Sequence, residues 1–312
     1  MATYKGINGF AVQSVATDPS PLNEGQVWYN TTSYQFKIAG YNTAAWASGG
    51  NLGTGRGFIS GCGTQTAGLA IAGFSPYTNA TEEYDGAAWA AGGALPSVRA
   101  GVAAAGTQTA GLSAGGLQSN ESSTQEYDGS TWSPGGNLNT PTYSASGTGV
   151  QTAALISGGV PSGTTAQEYD GSAWAAGGSL ANSRNYAGSS GIQTAAATFG
   201  GGIPVGTSTE EYDGSAWTAG GNMSRTSTYG IAGCGTQTLA IAFGGSPPVT
   251  GDTEEYNGTS WTTTASLGTA RYVLGGAGSQ AAGLAFGGFP ASKNVTEEFT
   301  GAGDVVKILT IS

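Results

Sequence analysis

The sequence predicts an all-β fold, a β-propeller of four-stranded blades, and three observations carry this prediction. The 312-residue chain repeats itself, with a tryptophan every 42 to 44 residues. A tyrosine stands five residues before each of these tryptophans, which are Trp46, Trp89, Trp132, Trp174, Trp217 and Trp261. No segment shows the 3.6-residue apolar period of a helix. Repeats of about 40 to 50 residues that contain several short strands are typical of propeller blades.

One repeat shows how the four strands follow one another. Residues 99–105 (RAGVAAA) are mostly small and suit an inner strand near a crowded axis, and residues 106–109 (GTQT) form a turn. Residues 110–116 form a second strand, whose glycines allow close backbone approach. Residues 124–128 form a third strand. Asp128-Gly129 then predicts a tight hairpin before the outer strand, because glycine tolerates a positive φ.

Several markers keep the same register in the repeats. An arginine opens the first strand, a diglycine ends the second, Tyr-Asp ends the third and a tryptophan follows, as in Arg99, Gly115-Gly116, Tyr127-Asp128 and Trp132. This pattern resembles the kelch repeat over residues 40–303, and the resemblance implies a closed propeller. The sequence departs from this pattern at two markers. Thr142 and Thr228 stand where the other repeats have the arginine, and Asp304 stands where the last tryptophan is expected.

The number of blades is predicted less directly than the fold. Six repeats cover residues 55–303, and residues 1–46 contain strands of their own. In a six-bladed ring, Tyr41 and Phe299 would compete for one third-strand position, which favours seven blades. We therefore expect one domain of residues 1–312, in which the N-terminal segment contributes to the closing blade and residues 304–312 form a closing strand. Six blades is the alternative.

The net charge and the residue composition argue against several classes of function. Nineteen acidic residues against nine basic ones give a net charge of −10, which argues against a nucleic-acid partner. Histidine is absent, so the imidazole-based nucleophile systems and zinc sites have no counterpart in this chain. Cys62 and Cys234 occupy equivalent positions in two repeats and are predicted to be small inner-strand residues. We therefore expect no catalytic residue, metal or cofactor.

The carboxylates are the remaining catalytic candidates, and they repeat with the blades. Glu82, Glu83 and Asp85 recur as Glu210, Glu211 and Asp213 in the same TEEYDG context. Glycoside hydrolysis needs two unlike carboxylates that converge on one bond. A set repeated around a ring instead indicates a structural role. A carbohydrate-active enzyme is the third-ranked alternative for this chain.

The loops between the second and third strands differ in every repeat, whereas the GTQT and Tyr-Asp-Gly turns are nearly uniform. Strand alternation places these two groups of turns on opposite faces of a propeller. A uniform scaffold with one face of varied loops is typical of binding proteins. Neutral drift in solvated loops is the alternative. The candidate ligand-contact residues are Phe74, Tyr77, Asn79, Gln118, Asn120, Pro247, Phe289 and Lys293.

The N-terminal block supplies a second resemblance. Residues 24–37 (EGQVWYNTTSYQFK) form a strand, a Thr/Ser turn and a second strand, and they resemble segments of phage tail-fibre and appendage proteins. The glycine- and threonine-rich array that follows is similar to kelch-like proteins of marine phages and environmental viral sequences. The resemblance implies a virion-associated protein that binds a host-surface glycan or envelope component and contacts other virion proteins.

The same resemblance implies a location on the virion, outside the cell after synthesis in the host cytoplasm. No signal peptide and no apolar run near 18 residues is visible in the sequence. We accordingly expect no membrane insertion. The second-ranked function is a kelch-type adaptor that binds a partner protein through the same loops.

Overall fold

A computed structural model describes residues 12–118, 122–202, 206–226, 228–290 and 293–309. The chain forms two compact units, a propeller unit of Ala45–Thr300 and a smaller unit of Met1–Ala44 with Gly301–Ser312. The described residues form 28 strands in seven four-stranded sheets, without a helix. The all-β propeller prediction is confirmed. The single domain that we expected is divided into these two units.

Six of the seven sheets lie in the propeller unit. Their strands are β4 (Ala45–Ser48), β5–β8 (Ser60–Thr64, Ala67–Ile71, Thr81–Tyr84, Trp89–Ala91), β9–β12 (Ala103–Thr107, Ala110–Ala114, Thr124–Tyr127, Trp132–Pro134), β13–β16 (Ser146–Val150, Ala153–Ser157, Ala166–Tyr169, Trp174–Ala176), β17–β20 (Gly188–Ile192, Ala195–Phe199, Thr209–Tyr212, Trp217–Ala219), β21–β24 (Ala232–Gly235, Ala240–Phe243, Thr253–Tyr256, Trp261–Thr264) and β25–β27 (Gly275–Gly278, Ala282–Phe286, Thr296–Thr300).

The innermost strands of these six sheets form a closed ring. Each contacts the next in the order β5, β9, β13, β17, β21 and β25, and β25 contacts β5 again. Crowding explains their small side chains: a Cβ added at Gly147 would lie 2.5 Å from the carbonyl oxygen of Ala104 in the neighbouring blade. Seven four-stranded sheets are present, as favoured from the sequence, but the ring has six blades, which is the alternative count.

Closure of the ring joins the two ends of the propeller unit. Strand β4 pairs antiparallel with β27, and Trp46 lies opposite Phe299. The other blades place a tyrosine opposite a tryptophan in the same way, as Tyr84 and Trp89 do. Phe299 therefore lies on the third strand of this blade, and β4 supplies its outer strand. Trp46 on β4 precedes Phe299 by 253 residues in the chain.

The expected closing strand has a different place. In the smaller unit, β1 (Gln13–Val15), β2 (Val27–Asn30), β3 (Gln35–Asn42) and β28 (Gly303–Ile308) form one sheet in that order. Residues 303–308 pair with β3, so the C-terminal strand does lie beside an N-terminal strand, as expected. This pairing does not close the ring of the propeller unit. Tyr41 lies on β3 and is 50% exposed, so it does not compete with Phe299. Residues 310–312 are outside the described part.

The core of the propeller unit lies between neighbouring blades. Tyr84 and Leu69 on one blade are fully buried, as are Leu284 and Phe286 on the preceding one. The ring of each blade tyrosine packs against its tryptophan, with centroids 4.9 Å apart for Tyr169 and Trp174. Such aromatic pairs contribute both buried area and favourable ring geometry. The repeated Tyr/Trp pairs therefore have a structural role in the blades.

Candidate functional site

The varied loops and the segments that enter each inner strand lie together on one face of the propeller unit, which we call the loop face. Short bridges join the two kinds of segment, as between Gly57 and Phe74, Tyr143 and Val160, and Tyr272 and Phe289. The GTQT and Tyr-Asp-Gly turns lie at the other ends of the same strands. The predicted division into a varied and a uniform face therefore agrees with the strand topology.

Six equivalent residues at the centre of the loop face form a ring that we call the collar. The backbone N–H of each donates to the carbonyl oxygen of the preceding member over 2.7–2.9 Å, and the last accepts from the first. All six have a positive φ, between 45° and 66°, and they are Phe58, Gly101, Ser144, Tyr186, Gly230 and Val273. Four of them are not glycine, and such strained positions cluster at functional sites.

Two collar residues carry aromatic rings that meet across the axis. Phe58 and Tyr186 belong to opposite blades, and their ring centroids are 5.7 Å apart. Phe58 also contacts Phe74 at 6.1 Å and Phe289 at 5.8 Å, and Phe74 contacts Tyr77 at 4.7 Å. The mainly edge-to-face geometry of these contacts is the arrangement that aromatic quadrupoles favour.

Two tyrosines extend the group on its other side. Tyr186 packs against Tyr229 with centroids 4.6 Å apart, and Tyr272 lies 6.3 Å from Phe289. Burial, followed by the electrostatic influence of Tyr186, raises the pKa of Tyr229 above its usual range. Its hydroxyl is therefore protonated at neutral pH and can both donate and accept a hydrogen bond. We call the whole group the aromatic cluster: Phe58, Phe74, Tyr77, Tyr186, Tyr229, Tyr272 and Phe289.

A lysine borders the aromatic cluster. Lys293 Nζ lies 4.9 Å from the ring centroid of Phe289 and donates to Ser75 Oγ over 2.8 Å. Phe289 itself fits because residue 57 is glycine: a Cβ there would lie 2.3 Å from Phe289 Cε2. Four of the residues predicted from the sequence, Phe74, Tyr77, Phe289 and Lys293, thus lie in one place.

The other predicted contact residues have different surroundings. Asn79 Nδ2 donates to the carbonyl oxygen of Leu95 over 2.9 Å, so its side chain serves a loop within the fold. Gln118 and Pro247 are exposed, and no ring contact joins them to the aromatic cluster. Asn120 lies outside the described residues.

The sequence reasoning missed the members of the cluster that enter the inner strands. Phe58 and Tyr186 stand at a repeat position that is Gly, Ser or Val in the other blades, and a bulky aromatic residue at such a position was the available signal. Tyr229 stands one position earlier in its repeat, where two other blades also have tyrosine. The repeat pattern does not reveal this signal, because the pattern is defined by the positions that keep the same residue.

The uniform face holds the blades together. In each blade the glutamine of the first turn donates Nε2 to two carbonyl oxygens of the preceding blade. Gln108 does so to Gly68 at 3.1 Å and to Tyr84 at 2.7 Å, and Gln65 joins the first blade to the last through Gly283 and Phe299. The glutamine series is therefore an inter-blade connection.

The second glutamate of each TEEY segment has a phenol partner. Tyr127 Oη donates to Glu83 Oε1 of the preceding blade over 2.6 Å, and Tyr212 donates to Glu168 in the same way. Burial and then this hydrogen bond raise the pKa of Tyr127 to about 12. The repeated carboxylate is thus occupied by a neighbouring blade, which agrees with the structural role expected for it.

The first glutamate of the segment pairs with the arginine of its own blade. Arg184 and Glu210 form a buried ion pair at 2.7 Å, and Arg56 pairs with Glu82. Where Thr228 replaces the arginine, Arg225 reaches Glu254 from three residues upstream, at 3.1 Å. The role of the arginine, left in doubt by that departure, is therefore preserved in this blade.

The blade with Thr142 replaces both partners. Gln167 stands in the glutamate position and exchanges hydrogen bonds with the backbone of Thr140, at 3.0 and 2.9 Å. Removing the charge from both sides avoids an unpaired buried ion. The blade of Arg99 differs again, because it keeps the buried arginine although Gln125 stands in the glutamate position.

The turn aspartates and the two cysteines are the other side chains that could be reactive. Asp128 Oδ1 accepts hydrogen bonds from the N–H groups of Thr131 and Ser130, and these bonds lower the pKa of Asp128. Cys62 and Cys234 are free thiols, and burial raises the pKa of each to about 12. They are protonated and poorly nucleophilic in this environment.

The described part of the chain contains no group of three or more His, Cys, Asp or Glu side chains that could hold a metal ion. Within the same ranges no helix is long and apolar enough to cross a membrane.

These observations define a six-bladed β-propeller with an aromatic cluster at the centre of one face. Among solved structures the chain is similar to one described as "Structure of YjhT", with a TM-score of 0.66 and 12% sequence identity. The match covers 85% of this chain and 100% of that one. At this identity the likeness concerns the fold. No protein-family model and no curated protein matches the sequence.

Proposed function

We propose that this protein is a binding module of a virion that attaches to a glycan on the surface of a host cell through the aromatic cluster. The propeller fold by itself is that of a binding or structural protein. The observation that carries the proposal is the convergence of seven aromatic side chains at the centre of one face, from the varied loops, the collar and the residues that directly precede the collar.

The aromatic cluster suits a sugar in both shape and chemistry. Small-ligand sites combine apolar and aromatic walls with a few polar groups that fix orientation. Phe58 and Phe74 supply flat apolar surface, and Phe74 is 37% exposed. The hydroxyls of Tyr186 and Tyr229 supply donors and acceptors beside it. A pyranose ring has the matching pair of features, an apolar face and a rim of hydroxyl groups.

The smaller unit supports the virion part of the proposal. Among the described residues, seven of the thirteen exposed large apolar side chains lie in this unit, although it is much the shorter of the two. Phe36 on β3 is 45% exposed and Ile308 on β28 is 52% exposed. Exposed apolar groups of this kind mark contact surfaces for other proteins. The resemblance of the N-terminal block to phage appendage segments agrees with such an attachment role.

Replacement of two cluster residues tests recognition. The double variant Phe74→Ser and Tyr77→Ser removes one exposed and one half-buried ring from the aromatic cluster and substitutes no collar residue. We expect it to lose binding to immobilised cell-surface glycans and to host cells, since exposed aromatic side chains dominate interface energies. Phe289 is left in place because it packs against Gly57 and Phe58.

The matched control changes two exposed apolar residues on the uniform face. Ile192→Ser and Leu239→Ser alter side chains that are 56% and 52% exposed, and binding should remain as in the wild type. Both variants are first shown to melt like the wild type. Loss of binding in the control alone would place recognition on the uniform face. Absence of the wild-type protein from purified virions would contradict the virion assignment.

A further inference from the structure

We propose that the glycan carries an anionic group and that Lys293 binds this group beside the aromatic cluster. This inference rests on the proposed function, because it names the class of sugar that the same site accepts. It concerns a carboxylate or sulfate attached to a sugar ring, which share the charge and the acceptor oxygens that an ammonium group requires.

Lys293 is the one accessible cation of the propeller unit. The unit contains five arginines and a single lysine, and all of these residues are described. The arginines are at most 6% exposed, and four of them form ion pairs with glutamates inside the blades. Lys293 is partly exposed, and none of the ion pairs among the described residues includes it. Its charge is therefore available to a ligand.

The position of the ammonium group is fixed from two sides. Nζ stands 4.9 Å from the ring centroid of Phe289 and bonds Ser75 Oγ, which belongs to the loop that carries Phe74 and Tyr77. The backbone is held as well, since the carbonyl oxygen of Lys293 accepts from Arg56 N over 2.9 Å. A side chain held in this way loses little further freedom when it binds.

Two donors of the ammonium group remain for a ligand. An ammonium has three N–H donors and no acceptor, and Ser75 uses one of them. Phe74, Phe58 and Phe289 form the adjoining apolar surface. A sugar ring stacked on that surface brings a substituent on its rim toward Nζ, and an anionic substituent gives the strongest hydrogen bonds available there.

The charge of the whole chain makes this contact selective. At a net charge of −10 the protein repels anions at long range, and salt near 0.1 M limits that repulsion to about 10 Å. An acidic glycan is therefore attracted only where the local field is positive, and the loop face provides one such place at Lys293. Non-specific adsorption of polyanions elsewhere on the propeller unit is disfavoured.

The test compares acidic oligosaccharides with neutral counterparts of the same backbone. The probes are oligogalacturonate with its methyl ester, and a sulfated galactan with its desulfated form. The two pairs distinguish a carboxylate from a sulfate. We expect the wild type to bind at least one acidic probe more tightly than its neutral partner, and Lys293→Gln to weaken that binding roughly tenfold or more. Lys293→Arg should retain most of it.

The control variant is Lys307→Gln, which removes the same charge from the exposed strand β28 of the smaller unit. It should bind all probes as the wild type does. Equal binding of acidic and neutral probes, unchanged by Lys293→Gln, would overturn the inference while leaving glycan binding in place. Equal losses in the Lys293 and Lys307 variants would also overturn it, since net charge would then be the cause. Binding of no probe at all would count against the proposed function itself.

Discussion

At the scale of single residues, one blade lacks the repeated tyrosine of the third strand, and this change is matched by a change in the neighbouring blade. Phe299 replaces that tyrosine, so Glu255 of the preceding blade lacks the phenol donor that Glu83 and Glu211 have. Burial raises the pKa of Glu255 accordingly. Thr264 explains the exchange. It stands where other blades have glycine, and at the equivalent Gly92 a Cβ would lie 2.6 Å from the Tyr127 hydroxyl.

This coupling predicts a double-mutant result. Phe299→Tyr alone should destabilise the protein, because its hydroxyl meets the Cβ of Thr264. Combined with Thr264→Gly it should form the missing bond to Glu255, with a favourable coupling free energy of about 0.5–3 kcal/mol. Denaturant unfolding of the two single variants and the double variant measures this coupling.

The pH dependence of the double variant gives an independent check. A raised folded-state pKa means that the contribution of Glu255 to stability is present below its unfolded pKa and lost as pH rises through the folded value. The double variant should lose this decline above about pH 4.5. Additive free energies with an unchanged pH profile would disprove the coupling.

At the scale of elements, the sheet of the smaller unit depends on one carboxylate. Asp18 accepts hydrogen bonds from Lys37 Nζ at 2.8 Å, from Trp28 Nε1 at 3.0 Å and from Asn30 Nδ2 at 2.7 Å. These bonds, led by that of Lys37, lower the pKa of Asp18 to about 2. Trp28 is fully buried, so Asp18 also satisfies a buried indole N–H.

The lowered pKa predicts acid sensitivity in this sheet. Stability from Asp18 is present above its unfolded pKa and lost as pH falls through about 2. The fluorescence of Trp28 and its indole N–H exchange should therefore report loosening of the smaller unit between about pH 4 and pH 2. Asp18→Asn should show that loosened state already at neutral pH and remove the acid transition. An acid transition that survives this substitution would assign it to another group.

At the scale of the whole molecule, ring closure by β4 predicts which truncations are tolerated. A chain of residues 45–300 contains all six blades and every partner of β4, including Thr253, whose Oγ1 accepts from Trp46 Nε1 at 3.1 Å. We expect it to fold and melt cooperatively. A chain of residues 49–300 leaves β27 as an open edge, and it should aggregate or melt much lower.

Comparison of the two truncations by size-exclusion chromatography and thermal melting tests this closure. Removal of residues 304–312 from the full chain should leave the transition of the propeller unit unchanged, in contrast to the role first expected for that strand. Equal stability of the chains that begin at 45 and 49 would show that β4 does not close the ring.

The sequence predicts the structure of a single blade better than it predicts how the ring of blades closes. Each blade could be read from the sequence because its markers make contacts that recur: Gln108 bonds the preceding blade, and Tyr127 reaches Glu83. Closure could not, because Trp46 and Phe299 are far apart in the chain and Tyr41 follows the same period. Only pairing in three dimensions decides between Tyr41 and Phe299.

The candidate site was predictable in part for a similar reason. Phe74, Tyr77, Phe289 and Lys293 stand out as bulky residues in varied loops. Phe58 and Tyr186 enter the site through the left-handed backbone of the collar, which places their rings over the axis. A sequence pattern does not reveal that conformation in residues other than glycine.

The collar also has a bearing on how many repeats the molecule can contain. Six nearly identical modules could in principle be shortened or extended by one, since each contacts only its neighbours. The collar is different, because its hydrogen bonds run head to tail through every blade and return to the first. A seventh member would widen this ring, and loss of a member would leave one donor and one acceptor unpaired unless the ring contracted. The collar therefore favours an array of six modules, and an array with another number would be destabilised at the centre of the loop face.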